Sequence, residues 1–314
     1  MPGTEAPIVC VFMISYNQEN YILQALDSVL NQEVKFRYKV ILSDDCSTDN
    51  SRNKIEDYLK DHPKKKMVEF ISQRKNLGWM PNFIYTLQKC KDSGAKYIAM
   101  CEGDDFWTNP HKLQKQINLL ENNPDVVLTC HRYLELYNDG STKECPYFRK
   151  DFFRGRSYFR FSQKDFEDFM RIQTMTIVLR SNAVDLEVRH KYEFYCDTHI
   201  KHHVLDHGLG IYAEDYDAVY RIHGNNVFMS QSERKKMEFS YNVYKDLISK
   251  NGSVNYRNLL NIAMRSRIEQ ELHFRRFNFN DPYYQKLLLQ QLKDVKSLPL
   301  FIKNQVKGIF NLRK

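Results

Sequence analysis

Short apolar runs that end in polar or acidic residues recur along the first third of the chain, each followed by a segment with helical spacing. Val9-Cys-Val-Phe-Met-Ile14 is apolar throughout and partly β-branched, which predicts a buried central strand ending at Ser15-Tyr16-Asn17. Ile22, Leu23, Leu26, Val29 and Leu30 then recur at helical intervals behind Asn20, a residue suited to an N-cap. Tyr38–Leu42 predicts a second strand, which runs into Ser43-Asp44-Asp45-Cys46-Ser47-Thr48-Asp49. Ser47 or Asp49 is placed to cap the next helix, striped by Ile55, Tyr58 and Leu59. Met67–Ile71 predicts a third strand, followed by the loop Arg74–Trp79 and a helix opened by Pro81. Tyr97-Ile-Ala-Met-Cys101 predicts a fourth strand, which meets three acids, Glu102, Asp104 and Asp105. Asn109-Pro110 then starts a helix with Leu113, Ile117 and Leu120 on one face, and Asp125–Cys130 predicts a fifth strand. Strand and helix thus alternate four times before Asn122, the pattern of an α/β fold built on a right-handed parallel sheet.

The pattern weakens from Tyr133 to Gln173, where Gly140, Pro146 and Phe152-Phe-Arg-Gly-Arg156 suggest loops and short strands around a pocket. Thr174–Arg180 predicts a strand ending in Ser181-Asn182, which caps a short helix, and Tyr195-Cys-Asp197-Thr-His199 opens another. Ile211–Ala213 and Ala218–Ile222 read as two late strands, with Glu214-Asp215 in the turn between them and His223-Gly-Asn-Asn226 closing the second. Beyond Ser230 the composition shifts to long basic helices. The organisation expected is one domain over 1–226, divided at 132/133 into halves 7–132 and 133–226, then a helical extension over 227–314.

Charge sharpens that division. The 314 residues carry a net +8, but Asn225–Lys314 holds 17 Lys and Arg against 7 Asp and Glu, so the body is slightly acidic. A basic tail on an acidic body argues against a nucleic-acid-binding domain and gives the tail a separate role. Seven cysteines stand singly, with no CxxC pair, which favours reduced thiols in the cytoplasm over a disulfide framework or a zinc ribbon. The amino terminus lacks the basic-then-apolar pattern of a signal peptide, and no apolar run reaches the ~20 residues of a membrane-spanning helix.

In a parallel sheet the carboxyl ends of the strands lie along one edge, where ligands bind. Ser15/Asn17, Asp44/Asp45, Arg74/Asn76 and Glu102/Asp104/Asp105 therefore converge although they are far apart in sequence. Three acids in four residues repel one another unless a cation or hydrogen-bond donors hold them, and closely spaced oxygens suit Mg2+ or Mn2+ beside a phosphate. A nucleotide fits such an edge. The chain has neither GxGxxG nor GxxxxGK[ST], which disfavours a dinucleotide site and a P-loop. A nucleotidyltransferase would carry a Gly- and Lys-rich loop after the first strand, where this chain has Ser15-Tyr-Asn-Gln-Glu19.

These motifs, with Ser28-x-x-x-Gln32, Asn76-x-Gly78 and Val219-Tyr-Arg-Ile-His223, resemble family 2 of the inverting glycosyltransferases over residues about 7–226. The resemblance implies that 1–226 is a catalytic domain of the nucleotide-sugar-binding GT-A fold, Rossmann-like and mostly parallel, flanked by helices, with 7–132 as its nucleotide-sugar-binding half and 133–226 as its acceptor half. It implies that Ser15, Asn17, Glu19, Asp44, Asp45, Arg74, Asn76, Glu102 and Asp105 bind the nucleotide sugar, with Asp44 and Asp45 at the base. Asp104 and His223 would hold Mn2+ or Mg2+ at the diphosphate. Glu102 stands where many relatives have the first aspartate of the DxD motif, a departure that keeps the charge. A UDP-linked donor and a glycan or lipid-linked acceptor in surface polysaccharide biosynthesis follow as expectations.

Inverting transfer requires a base for the acceptor hydroxyl. Asp197, at the start of a helix, occupies the position of the acceptor-side acid in relatives; Asp215, in a pair resembling the family's Glu-Asp, is its competitor. A catalytically silent nucleotide-sugar-binding protein and a nucleotidyltransferase are the alternatives to this activity. His199, His203 and His207, spaced for one helical face, suit either a zinc site or a wet, His-rich surface. Leu298–Phe310 mixes apolar residues with lysines, which suits either a helix at the anionic inner face of the plasma membrane or packing on protein. The oligomeric state is left open.

Overall fold

The computed structural model describes residues 8–145, 153–163, 165, 172–193, 195–224 and 233–250. The chain divides into two compact units, Met1–Lys191 with Tyr195–Asn226, and Tyr192–Phe194 with Val227–Lys314. The expectation for Leu298–Phe310 and part of the Phe152–Arg156 loop lie outside the described residues.

The first unit is built on strands β1 (Val9–Ser15), β2 (Tyr38–Asp44), β3 (Val68–Ser72) and β4 (Tyr97–Met100), in the order β3-β2-β1-β4 and parallel throughout. β1, β2 and β4 have nearly all residues buried because helices cover both faces, which explains their unbroken apolar sequences. The register sets Ser15 level with Asp44, and Asp44 level with Ser72, so the polar strand ends are brought abreast.

Helices α1 (Ile22–Leu30), α2 (Ser51–Lys60), α3 (Trp79–Asp92) and α4 (Lys112–Glu121) connect and cover these strands. α1 buries Ile22, Ala25, Leu26, Val29 and Leu30, one stripe of an amphipathic helix. Its start corrects the capping expectation. Asn20 lies inside a turn in which the amides of Tyr21 and Ile22 both donate to Gln18 O at 2.9 Å, so Tyr21 occupies the cap. α3 likewise begins before Pro81, at Trp79, after Gly78 turns the chain with φ +90. Pro81 remains in the first turn, where a missing N–H removes no helical bond.

The second half departs from simple alternation. Asp125–Cys130 belongs to a longer strand, and β4 does not pair with it. The remaining strands of this unit are β5 (Phe106–Trp107), β6 (Val126–Tyr137), β7 (Thr142–Glu144), β8 (Tyr158–Phe161), β9 (Val178–Arg180) and β10 (Leu209–Ile222). β9 inserts antiparallel between β4 and β6, β10 runs parallel to β6, and β5 and β8 pair antiparallel to β10. The run Thr174–Arg180 is only half strand, because Thr174–Thr176 form a 3-10 turn first. The two late strands are one, with register shifts around Tyr216 that absorb Glu214 and Asp215 as irregular strand rather than a turn. Gly210 is required here, since a Cβ would lie 2.1 Å from the Phe161 ring.

Helix α5 (Asp197–Leu205) packs beside this half, and α6 (Glu233–Lys250) belongs to the second unit. No helix among the described residues is long and apolar enough to cross a membrane.

A fully buried lysine lies where α4 meets β5 and the Thr174–Thr176 turn. Lys112 Nζ donates to Gln116 Oε1 at 2.7 Å and stands 4.2 Å from the centre of the Trp107 ring. Gln116 Nε2 in turn donates to Thr176 O at 2.9 Å. Burial pushes the Lys112 pKa down to about 7, whereas an unfolded lysine keeps its proton to about pH 10.4. Between those values the unfolded chain binds more protons, so stability rises with pH across the window. Below it, the cost of burying an ammonium is present in full. Lys112→Met leaves Gln116 short of a donor at every pH, so the pH dependence isolates the charge. The variant is expected to lose the rise in Tm between about pH 7 and pH 10 that the parent chain shows; parallel Tm–pH curves would assign that rise elsewhere.

Candidate functional site

The turn Glu102–Asp105 leaves β4 and is drawn against the end of β1. Cys101 N donates to Phe12 O at 3.0 Å and Gly103 N to Ile14 O at 2.9 Å, extending the β1–β4 ladder past the strand. A Cβ on Gly103 would lie 2.4 Å from Gln18 Oε1, 2.8 Å from Ile22 Cδ1 and 2.9 Å from Ile14 O. Only glycine permits this approach, and it presses the three acids onto the polar end of β1.

Each acid has its own surroundings. Asp105 is fully buried; its Oδ1 accepts from Arg221 N at 2.9 Å, while its Oδ2 has no hydrogen-bond partner. Burial, then the charges of Asp104 and Glu102, push its pKa well above the carboxylate range. Asp104 Oδ2 lies 3.2 Å from His223 Nε2, and its carbonyl accepts from Arg221 Nη1 at 2.5 Å. Glu102 is pushed up to about 8 by burial, then by the charges of Asp104 and Asp197, against the pull of Lys201 and a hydrogen bond from Thr174. Asp197, the first residue of α5, is therefore a neighbour of the turn ninety residues before it. Its own pKa is held below the usual range: burial raises it, but the charge and hydrogen bond of Lys201 and the amide of Thr198 together bring it down.

Arg221 is the residue that sequence reasoning left without a role. Besides its bonds to Asp104 and Asp105 it donates to Gln24 Oε1, and its guanidinium stands 4.5 Å from the Phe106 ring centre and 5.2 Å from that of Tyr21. Tyr21 also packs on His223 at 4.6 Å. The available signal was spacing, because Arg221 and His223 are two apart on a strand and so share a face.

The loops after β1, β2 and β3 are stitched to one another. Asn17, in a left-handed conformation (φ 53), accepts from Thr48 N at 2.8 Å, and its own amide donates to Ser47 Oγ at 2.9 Å. Glu19 N donates to Asp49 Oδ2 at 3.0 Å, and Glu19 Oε2 accepts from Asn50 N at 3.2 Å. Asp44 accepts from both the amide and the hydroxyl of Ser47 (2.9 and 2.5 Å), and Asp45 from the amides of Leu77 and Gly78 (2.7 and 2.9 Å). Both aspartates are buried; Asp44 fixes its own loop and Asp45 ties that loop to the one after β3. Ser15 is buried too, and its carbonyl accepts from Asp45 N at 2.8 Å. Arg74 and Asn76 stand exposed at the rim, with Asn76 Oδ1 accepting from Gly78 N at 2.8 Å. Cys46 adopts φ 60 in the same loops and, alone among the seven cysteines, is not buried. Ser28 and Gln32 act at a distance from all this: Ser28 Oγ accepts from Trp107 N at 3.1 Å and Gln32 Nε2 donates to Asn109 O at 2.9 Å, fixing the segment after the acidic turn.

Asp215 is not brought to the acids. It pairs with Lys115 on α4, as does Asp217 at 2.9 Å. Six residues of extended strand separate it from Arg221, roughly 15–20 Å. The histidine series does not present one face: His199 is buried, His203 is half-buried, and His207 is exposed beyond the end of α5. His199 Nδ1 accepts from Cys196 N at 3.1 Å, and burial pushes its pKa down to about 3. Among the described residues no group of three or more His, Cys, Asp or Glu is disposed to hold a metal by itself.

A divalent cation completed by a ligand's own oxygens is a different case, and the residues fit it. Asp104 and His223 converge within 3.2 Å, the inner oxygen of Asp105 lacks a partner, and the neighbouring acids are driven toward protonation in the absence of a balancing charge. Such a pair leaves several coordination positions for a diphosphate.

The description "Glycosyl transferase family 2" belongs to the family model that matches residues 10–186. An uncharacterised protein of Mycobacterium tuberculosis is 37% identical over 131 residues, 42% of this chain and 36% of that protein, so the match spans about a third of that relative's length. S. aureus TarS (residues 1–349), solved with UDP-GlcNAc, is similar in structure with a TM-score of 0.65 at 13% identity, over 97% of this chain and 89% of that one. The mannosyltransferase PcManGT of Pyrobaculum calidifontis, solved with GDP-Man and Mn2+, gives 0.57 at 13% identity, over 98% of this chain and 81% of that one. The curled mixed sheet with its flanking helices is the GT-A fold. By its sequence match over more than half its length, the chain belongs to glycosyl transferase family 2.

Proposed function

We propose that the chain is a metal-dependent, inverting glycosyltransferase that moves a sugar from a nucleotide sugar, UDP-linked by preference, to a hydroxyl of a glycan or lipid-linked acceptor in surface polysaccharide biosynthesis. The observation that carries this reading is the meeting of Glu102, Asp104 and Asp105 with Asp197 and His223 at the carboxyl edge of the parallel strands. The stitched loops after β1, β2 and β3 form the nucleotide side, with Ser15, Asn17, Glu19, Asp44, Asp45, Arg74 and Asn76 around it. The neighbour solved with UDP-GlcNAc supports the donor class, and the one solved with GDP-Man and Mn2+ supports the metal.

Asp104 and His223 would hold Mn2+ or Mg2+ against the diphosphate, and the bound cation supplies positive charge for the leaving group. The chain's own part is proton transfer and orientation. Asp197 is ionised, opens a helix, and retains a 30% exposed side chain, so an acceptor hydroxyl can reach it. It takes the hydroxyl proton as the acceptor oxygen bonds to the anomeric carbon. The bond from that carbon to the phosphate oxygen breaks, its electron pair leaving with the nucleoside diphosphate. Attack opposite the leaving group inverts the anomeric centre.

A panel of nucleotide sugars, each with and without Mn2+, tests the donor side by thermal shift. A matched donor at about 100 times its Kd stabilises by about 2.7 kcal/mol. Asp104→Ala is expected to abolish the metal-dependent part of that stabilisation, and undiminished metal dependence would remove Asp104 from the cation site. Asp197→Asn is expected to bind donor normally while transfer falls by about 10²–10⁴; full transfer would exclude it as the base. Pyrophosphate release from a nucleoside triphosphate would instead identify a nucleotidyltransferase.

A further inference from the structure

One buried charge beside the acids has no part in this scheme. Lys201 Nζ donates to Asp197 Oδ2 at 2.6 Å and to Ile172 O at 3.0 Å. Its side chain is 9% exposed, against 30% for that of Asp197. Lys201 is thus closed off from solvent while the carboxylate it grips is not. The two are one helical turn apart on α5, the spacing at which side chains meet, and Ile172 O fixes the ammonium from outside the helix.

Resting on the transfer reading above, we propose that Lys201 is a positioning residue for that reaction, clamping Asp197 as an anion with its Oδ1 left to accept the acceptor's proton. The need for the clamp comes from the setting. Burial opposes the charge on Asp197 more than any other single influence does, and so favours a protonated, useless base. Glu102, on the turn after β4, is another titratable group facing it and is itself held toward its neutral form. From α5 itself Lys201 acts in the opposite sense, as does the amide of Thr198. The helix start adds a favourable dipole for an anion. His199 is held neutral by burial, so the permanent positive charge among these groups is that of Lys201. In the step itself the acceptor proton moves to Asp197 Oδ1, the acceptor oxygen bonds the anomeric carbon, and the nucleoside diphosphate leaves with its electron pair. Lys201 neither gives nor takes a proton.

The test needs neither acceptor nor metal. Aspartate labelled with 13C at the side-chain carboxyl reports each titration in the metal-free full chain, and the Asp197→Asn spectrum assigns the Asp197 signal. In Lys201→Met the Asp197 midpoint is expected to rise by about 1–3 pH units, the size of effect an adjacent opposite charge has on a carboxylate. Lys201→Arg is expected to restore most of the shift. Once an acceptor is found, the acidic limb of kcat/KM moves up with the midpoint, while binding of a nucleoside diphosphate with Mn2+ stays at the parental level. Should Lys201→Met not fold, Lys201→Gln serves, because its amide can still donate to Ile172 O without a charge. An unmoved Asp197 midpoint in the uncharged variant, with or without a lower Tm, overturns the proposal. If Asp197→Asn transfers at full rate, the general-base reading falls for its own reason, whatever the titration shows.

Discussion

Gly103 presses an acidic turn against the end of β1, and the crowding of charge that follows governs the architecture around it. Glu102, Asp104 and Asp105 cannot spread apart, because the residue between them has no room for even a methyl group. Repulsion in a half-buried setting has to be answered by fixed positive charge, by hydrogen-bond donors or by protonation. All three answers are visible. Arg221 is threaded between Gln24, Phe106 and the backbone of the turn, Asp105 takes the Arg221 amide, and Glu102 drifts toward its neutral form. The arrangement is under electrostatic tension that a divalent cation would relieve, and a tense site of this kind is suited to gripping a charged leaving group.

The carboxylates on the other strands follow a different logic. Asp44 accepts from the amide and hydroxyl of Ser47 in its own loop, and Asp45 from two amides of the loop after β3. Asp45 binds the third loop to the second as the Asn17 side chain binds the second to the first. Three connections separated by dozens of residues thereby become one surface, pre-organised for whatever lies on it.

How much of this could be read from the chain varied with the physics involved. β1, β2 and β4 were legible because buried parallel strands need unbroken apolar sequence, and the acids at their ends mark the ligand edge. The long second half was less so. β9 is three residues long and owes its place to antiparallel pairing with β4 and β6, which no local pattern announces. β10 absorbs polar Glu214 and Asp215 in an irregular stretch, so its sequence breaks where the strand does not. Asp197 was singled out through a helix start and its resemblance to a known position. Lys201 was four residues further along the same helix and equally available, but lysines on helices are usually solvated and the sequence does not show that this one is enclosed. Arg221 was passed over for a similar reason: its partners, on Asp104, Asp105 and Gln24, all lie more than a hundred residues away.

Cys46 gives the donor side a chemical handle. Six of the seven thiols are buried, and those at Cys101, Cys130 and Cys196 are made poorer nucleophiles by burial that raises their pKa values. A soluble alkylating reagent offered to the folded chain therefore meets one accessible sulfur, in the middle of the stitched loops. The protein carries its own attachment point for a fluorophore, set among the loops proposed to hold the nucleotide.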